Sequence, residues 1–106
     1  LLTCLANDYG FDNMFSKVVE LYTNPGDLLI AISSSGKSKD IINAVTTANK
    51  KEVKTVTLTG FSDMNMLKRY GKLNIFVNSN SYRIVELVHC YILHSILDKL
   101  ISEKNN

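Results

Sequence analysis

Leu28-Leu29-Ile30-Ala31-Ile32-Ser33-Ser34-Ser35-Gly36-Lys37-Ser38 sets a continuous apolar run against a loop of hydroxyls. The run from Leu28 to Ile32 is bounded by turn residues, the form of a buried strand in a parallel sheet. Beyond the loop, Ser38 to Lys50 carries Ile41, Ile42, Ala44, Val45 and Ala48 on one side of a helix. Strand, tight loop and helix make the unit from which parallel sheets are built.

The same alternation extends outward in both directions. Upstream, Asn24-Pro25-Gly26-Asp27 stops a helix spanning Phe11 to Tyr22. Asn7-Asp8-Tyr9-Gly10 is turn chemistry, and Leu1 to Ala6 is an apolar run of strand length. Downstream, Val53 to Leu58 is a strand ended by Thr59-Gly60. Phe61 to Tyr70 follows as a short helix capped by Gly71, then Leu73 to Val77 as another strand. Ser79-Asn80-Ser81 supplies N-caps for a long helix from Tyr82 to Ser102. This predicts an α/β fold: three to four parallel strands in a doubly wound, three-layer sheet flanked by helices. Ligands of such sheets bind beyond the carboxyl ends of the strands. The loops to inspect are therefore 33–38, 59–62 and 78–82, with 7–10 added if the first run is a strand.

A chain of 106 residues, 45% hydrophobic and 21% charged, fits one domain with a buried core. A net charge of +2 and scattered lysines give no basic stripe for nucleic acid. No apolar stretch has transmembrane length and no signal-peptide pattern opens the chain, so no membrane partner is expected. Cys4 and Cys90 lie in apolar contexts outside any CxxC spacing, the pattern of two buried free thiols in a cytoplasmic protein. Leu1 opens inside an apolar run, as in a piece of a longer chain. The last helix carries Ile84, Val85, Leu87, Val88, Cys90, Tyr91, Ile92, Leu93, Ile96 and Leu97 and has no wholly polar side. Such a helix is buried, here under a further part of the chain or another subunit.

The loop itself allows more than one reading. Ala31 to Ser38 nearly spells GxxxxGK[ST], the nucleotide-binding P-loop, with Ala31 in place of the first glycine. That chemistry also needs an acidic residue at the end of a neighbouring strand to organise Mg²⁺. Here the candidate strands end in TVTLTG and NIFVNS, without Asp or Glu. Four hydroxyls, Ser33, Ser34, Ser35 and Ser38, instead surround a helix start whose free N–H groups favour an anion. That set suits one terminal phosphate without a metal. A solvated serine-rich turn with Ser38 as a plain N-cap fits the same residues.

At these residues the chain resembles the sugar isomerase (SIS) domain family, and within it the phosphoheptose isomerases. ISSSGKS is similar to the family's ISTSGNS loop. Ala6 to Phe11 resembles its ANDYG/GNDFGF segment, Pro25 to Ser33 its PGDVLIAIS, and Val56 to Gly60 its VIALTG. Ile84 to His89, with His94 beyond, resembles RIQEIH followed by a second histidine. The resemblance implies an SIS-type, flavodoxin-like sheet whose N-terminal helices and first strand precede Leu1. It implies isomerisation of sedoheptulose 7-phosphate to its aldose for heptose and surface-glycan synthesis, commonly by a homotetramer. Ser33, Ser34, Ser35 and Ser38 become the phosphate cradle, and Asp8 a contact to sugar hydroxyls. His94 falls at the catalytic histidine, which in the family also ligates a metal, usually zinc, and Glu86 falls where the family has a Gln ligand. A second register matches Glu86 to the family's Glu, puts Val85 at the Gln position and loses that ligand. Lys37 and Arg83 depart from the family's Asn and Asp.

Without the family, Asp8 is a turn residue and His94 a core or interface histidine. Glu86 and His94 stand eight residues apart, about 80° and ~12 Å on a straight helix, too far to share one ion unaided. His89, three residues after Glu86, is placed to pair with it or to be satisfied within the helix. A rival function is a non-catalytic SIS module that binds a phosphosugar and regulates a protein partner. The acidic partner of the reaction would lie before Leu1, so these 106 residues alone are expected to be inactive.

Overall fold

The computed structural model describes residues 1–105. Three strands, β1 (Leu28–Ile32), β2 (Lys54–Gly60) and β3 (Leu73–Val77), form one sheet in the order β1-β2-β3. Both pairings are parallel, with Ala31 opposite Thr57 and Thr57 opposite Asn74. Four α-helices accompany them: α1 (Leu2–Tyr9), α2 (Met14–Tyr22), α3 (Lys39–Lys50) and α4 (Tyr82–Lys104).

Helices cover both faces of the sheet. On one face, Ala31 of β1 and Val45 of α3 close around Leu67, a residue of the β2–β3 connection. Further along the same face, Val19 of α2 packs with Ala44, Ala48 and Val53. Beneath this layer β2 presents Thr55, Thr57 and Thr59, all buried. Their hydroxyls are spent on asparagines. Thr55 Oγ1 donates to Asn49 Oδ1 at 3.2 Å, and Asn74 Nδ2 donates to the hydroxyls of Thr57 and Thr59 at 2.8 and 3.2 Å. Burying hydroxyls is tolerable because each finds a partner. The opposite face carries Leu58, fully buried, with α4 running over β2 and β3.

That cover does not reach β1. Leu28, Ile30 and Ile32 are 57%, 37% and 42% exposed, so β1 is a parallel strand open on one face. It also stands at the edge of the sheet among the described residues. Most of α4 is open too. Only Val85 and His89 are buried, and Leu87, Tyr91, Ile96, Leu97 and Leu100 all face outward. The burial expected for both elements from their apolar composition is not supplied within residues 1–105.

Other expectations are corrected. Leu1 to Ala6 is not a strand: Leu5 N–H bonds to Leu1 O at 2.9 Å in the first turn of α1. Only Thr3 in that run is β-branched, and Leu and Ala favour helix. The turn expected at 7–10 reduces to Gly10, at φ 87, which ends α1. The helix expected over Phe11 to Tyr22 begins as a 3₁₀ turn, Phe11–Asn13, before α2. β2 runs through Thr59-Gly60 instead of ending before it. Phe61 to Tyr70 contains only a 3₁₀ turn, Leu67–Arg69. The amides that a helix would use are taken elsewhere: Leu67 N–H by Gly36 O at 3.0 Å and Lys68 N–H by Asn65 Oδ1 at 3.0 Å. Cys4 and Cys90 are free as expected but exposed, because the helices that carry them are open on those sides.

Candidate functional site

The loop from Ser33 to Ser38 joins β1 to α3 at the carboxyl end of the sheet. It is tied down on three sides. Ser33 N–H donates to Leu58 O at 3.0 Å, Gly60 N–H donates to Ser34 O at 2.8 Å, and Leu67 N–H donates to Gly36 O at 3.0 Å. Inside the loop, Ser33 Oγ accepts from Gly36 N–H at 3.1 Å and donates to Ser38 Oγ at 3.1 Å. Ser35 Oγ accepts from Lys37 N–H at 3.2 Å. The chain turns at Gly36, whose φ of 68 is left-handed and whose missing Cβ leaves room for Asn65. Asn65 is 3% exposed and holds its place by donating to Thr59 Oγ1 and to Ser62 O.

α3 starts where this loop ends, and its first turn is open. Among the described residues the amides of Ser38, Lys39 and Asp40 have no protein acceptor. Ser38 makes no side-chain cap bond to the helix, since its hydroxyl faces Ser33. Free N–H groups at the positive end of a 12-residue helix, beside hydroxyls, form a cradle for an anion. Ser33 and Ser38 are thus brought together, the Ser35 hydroxyl turns to Lys37 N–H, and Ser34 contributes its carbonyl to the sheet. Lys37 and Lys39 are exposed at the rim, and Lys39 Nζ stands 3.9 Å from Asp12. Strand ends β2 and β3 carry no carboxylate, so the cradle lacks the magnesium-organising acid of a nucleotide site.

The remaining candidate residues lie apart from this loop in the chain. Asp8 is exposed on the last turn of α1, where its carboxylate accepts from Cys4 Sγ at 3.5 Å. The segment just after it reaches α3: Asn43 Nδ2 donates to Asp12 O at 2.9 Å. Glu86 and His94 are both exposed on α4. No three His, Cys, Asp or Glu side chains gather into a metal-holding group among the described residues. Two exposed donors eight positions apart on one straight helix do not fit a zinc ion by themselves. His89 does not pair with Glu86. It is 2% exposed and its Nε2 lies 2.9 Å from Thr59 O.

Sequence reasoning missed Asn65 and the partner of His89. Asn65 sits in a polar stretch, SDMN, with no periodicity to mark it as buried. His89 reads in the sequence as a partner of Glu86 or a satisfied helix histidine, and its actual acceptor lies thirty positions away on β2, with no local signal.

A family model described as the SIS domain matches residues 1–60, which include the whole serine loop. The chain belongs to the SIS domain family. Relatives in that family extend the match beyond residue 60. The phosphoheptose isomerase of Buchnera aphidicola subsp. Schizaphis graminum is 39% identical over 105 residues, 97% of this chain and 52% of that protein. The phosphoheptose isomerase of Sulfurimonas denitrificans is 40% identical over 102 residues, 96% of this chain and 52% of that protein. Among solved structures, phosphoheptose isomerase from Neisseria gonorrhoeae superposes with a TM-score of 0.86 at 33% identity. That match covers 92% of this chain and 55% of the other. The phosphoheptose isomerase from Francisella tularensis gives 0.86 at 31% identity, covering 92% and 52%. The SIS chain described here spans about half the length of the curated relatives it matches. Its three parallel strands and flanking helices are therefore an SIS fold over the shared half.

Proposed function

We propose that the protein isomerises a ketose phosphate, sedoheptulose 7-phosphate, to glycero-manno-heptose 7-phosphate, a step in heptose synthesis for lipopolysaccharide and related surface glycans. The observation that carries this reading is the serine cradle. Its hydroxyls and free amides suit a phosphate monoester, and neither β2 nor β3 ends in the acid that a magnesium nucleotide needs. The relatives named phosphoheptose isomerase, matched along more than nine-tenths of the chain, supply the sugar.

In this reading Ser33, Ser34, Ser35 and Ser38 hold the phosphate at one end of the substrate, and Asp8 takes sugar hydroxyls at the other. Aldose–ketose isomerisation moves a proton between adjacent carbons through an enediol, while a second proton moves between the two oxygens. His94 is assigned the proton shuttle, since an imidazole both takes and returns a proton near neutral pH. Zinc, with Glu86 and His94 among its ligands, belongs to this proposal only with further donors from outside residues 1–105, and no step is derived through it. A homotetramer, which would cover the open apolar faces of α4 and β1, and a cytoplasmic location complete the reading. No described helix is long and apolar enough to cross a membrane.

The test is turnover. The protein in its natural length, supplied with sedoheptulose 7-phosphate, is expected to form the aldose phosphate, and to leave unphosphorylated sedoheptulose unchanged. Equal turnover of both sugars, or of neither, refutes the proposal.

A further inference from the structure

α4 is 23 residues long, yet only Val85 and His89 are buried. Both land on the same two residues at the end of β2. His89 Nε2 lies 2.9 Å from Thr59 O. A carbonyl oxygen only accepts, so Nε2 carries the hydrogen. Nδ1 is buried without a hydrogen-bond partner, so the ring's one protein contact is the bond to Thr59. Val85, one turn earlier, sits over Gly60: a Cβ there would come within 2.7 Å of both Val85 methyl groups and 3.2 Å of Ser34 O. Gly60 N–H in turn donates to Ser34 O at 2.8 Å. A continuous path therefore runs from α4 through Thr59-Gly60 to the serine loop.

We propose that His89 is a positioning residue that sets the height of α4 on the sheet and, through Thr59-Gly60, the placement of the loop that receives phosphate. Val85 does not fix that height alone, because methyl packing is non-directional and a hydrogen bond is directional. Beyond these two, α4 meets the rest of the fold through half-buried Val88, Ile92 and Leu93 and the ring contact of Tyr82 with Phe61, none of which is a directional bond to the sheet. Since Glu86 and His94 ride on the same helix, one bond fixes both of them relative to the phosphate. The inference rests on the reading that the serine loop holds the substrate's phosphate.

The experiment uses the protein in its natural length with two variants, His89→Leu and His89→Gln. Leucine fills the space without a donor, whereas the glutamine amide can still donate to Thr59 O. His89→Leu is expected to weaken inhibition by inorganic phosphate about tenfold, the worth of one net hydrogen bond, and to raise KM in step. His89→Gln is expected to recover most of the loss. A lower melting temperature with an unchanged phosphate inhibition constant would overturn the proposal, leaving His89 merely structural. If His89→Leu does not fold, the unaltered protein decides. Long-range ¹H–¹⁵N spectra should show an Nε2–H ring at neutral pH whose signals shift when inorganic phosphate is added. An Nδ1–H ring, or signals indifferent to phosphate, overturns the inference. A protein that leaves sedoheptulose 7-phosphate untouched yet shows the phosphate-sensitive ring refutes the isomerase reading and supports the positioning role.

Discussion

Ser33 and Ser38, the first and last hydroxyls of the loop between β1 and α3, are hydrogen-bonded to each other at 3.1 Å. Four residues lie between them, so the bond closes the loop into a ring. A loop closed in this way loses little freedom when an anion enters, which favours binding.

Ser33→Ala removes the donor of that bond and one acceptor for Gly36 N–H. Gly36 N–H keeps Ser33 O at 3.1 Å, so folding suffers little. Stability is expected to fall by ~1 kcal/mol and phosphate affinity about tenfold. Thermal unfolding and competitive inhibition by inorganic phosphate check the two numbers separately.

Gly36→Ala acts on the backbone instead. Its φ of 68 is unfavourable to any Cβ, and that Cβ would overlap the buried Asn65 amide. Asn65 is held by Thr59, Ser62 and Lys68 and has nowhere to go. A loss of about 2–4 kcal/mol is expected. Denaturant unfolding reads it directly, and an Asn65→Ala background should return part of the loss by making room.

How much of this was legible in the sequence depended on whether a residue's partners were local. β1 and β3 were bounded to the residue, since each apolar run ends in turn chemistry. α3 was placed within its cap by Ser38 and its one-sided apolar face. The serine loop was legible because hydroxyls, glycine and helix start are contiguous. Leu1 to Ala6 failed because six residues are too few to separate period 2 from period 3.6. Phe61 to Tyr70 failed because the Asn65 side chain takes the Lys68 amide and Gly36 O takes the Leu67 amide, the second from outside the segment. The ties from His89 to Thr59 and from Gly36 to Asn65 join residues about thirty positions apart, beyond any periodicity argument.

The outward face of α4 makes a prediction about assembly. Leu97 and Leu100 are 52% and 58% exposed, and Leu100 lines an apolar groove with Ile75, Tyr91 and Ile96. Leu97→Lys combined with Leu100→Lys should cost the isolated fold little, because neither side chain is buried. In the natural-length protein the pair is expected to shift sedimentation to a smaller species. Unchanged sedimentation would exclude this face from the proposed subunit contact.

Zinc offers a sharper contrast. The described residues gather no set of three ligands, and Glu86 and His94 are exposed. The 106-residue chain is therefore expected to keep no stoichiometric zinc through gel filtration. The natural-length protein is expected to keep it, and His94→Ala to lose it, by elemental analysis. Zinc retained by the 106 residues alone would show that the helix supports a site by itself.

Along its outer edge, β1 leaves a ladder of backbone donors and acceptors without a neighbouring strand among the described residues, and its apolar side chains stand beside that ladder. Such a margin is a template: any extended peptide of matching polarity can augment it, including the same strand of another molecule. Handled without a cover for that margin, the 106-residue chain should be prone to edge-to-edge association and poor solubility, and a lysine in place of Ile30 should relieve both.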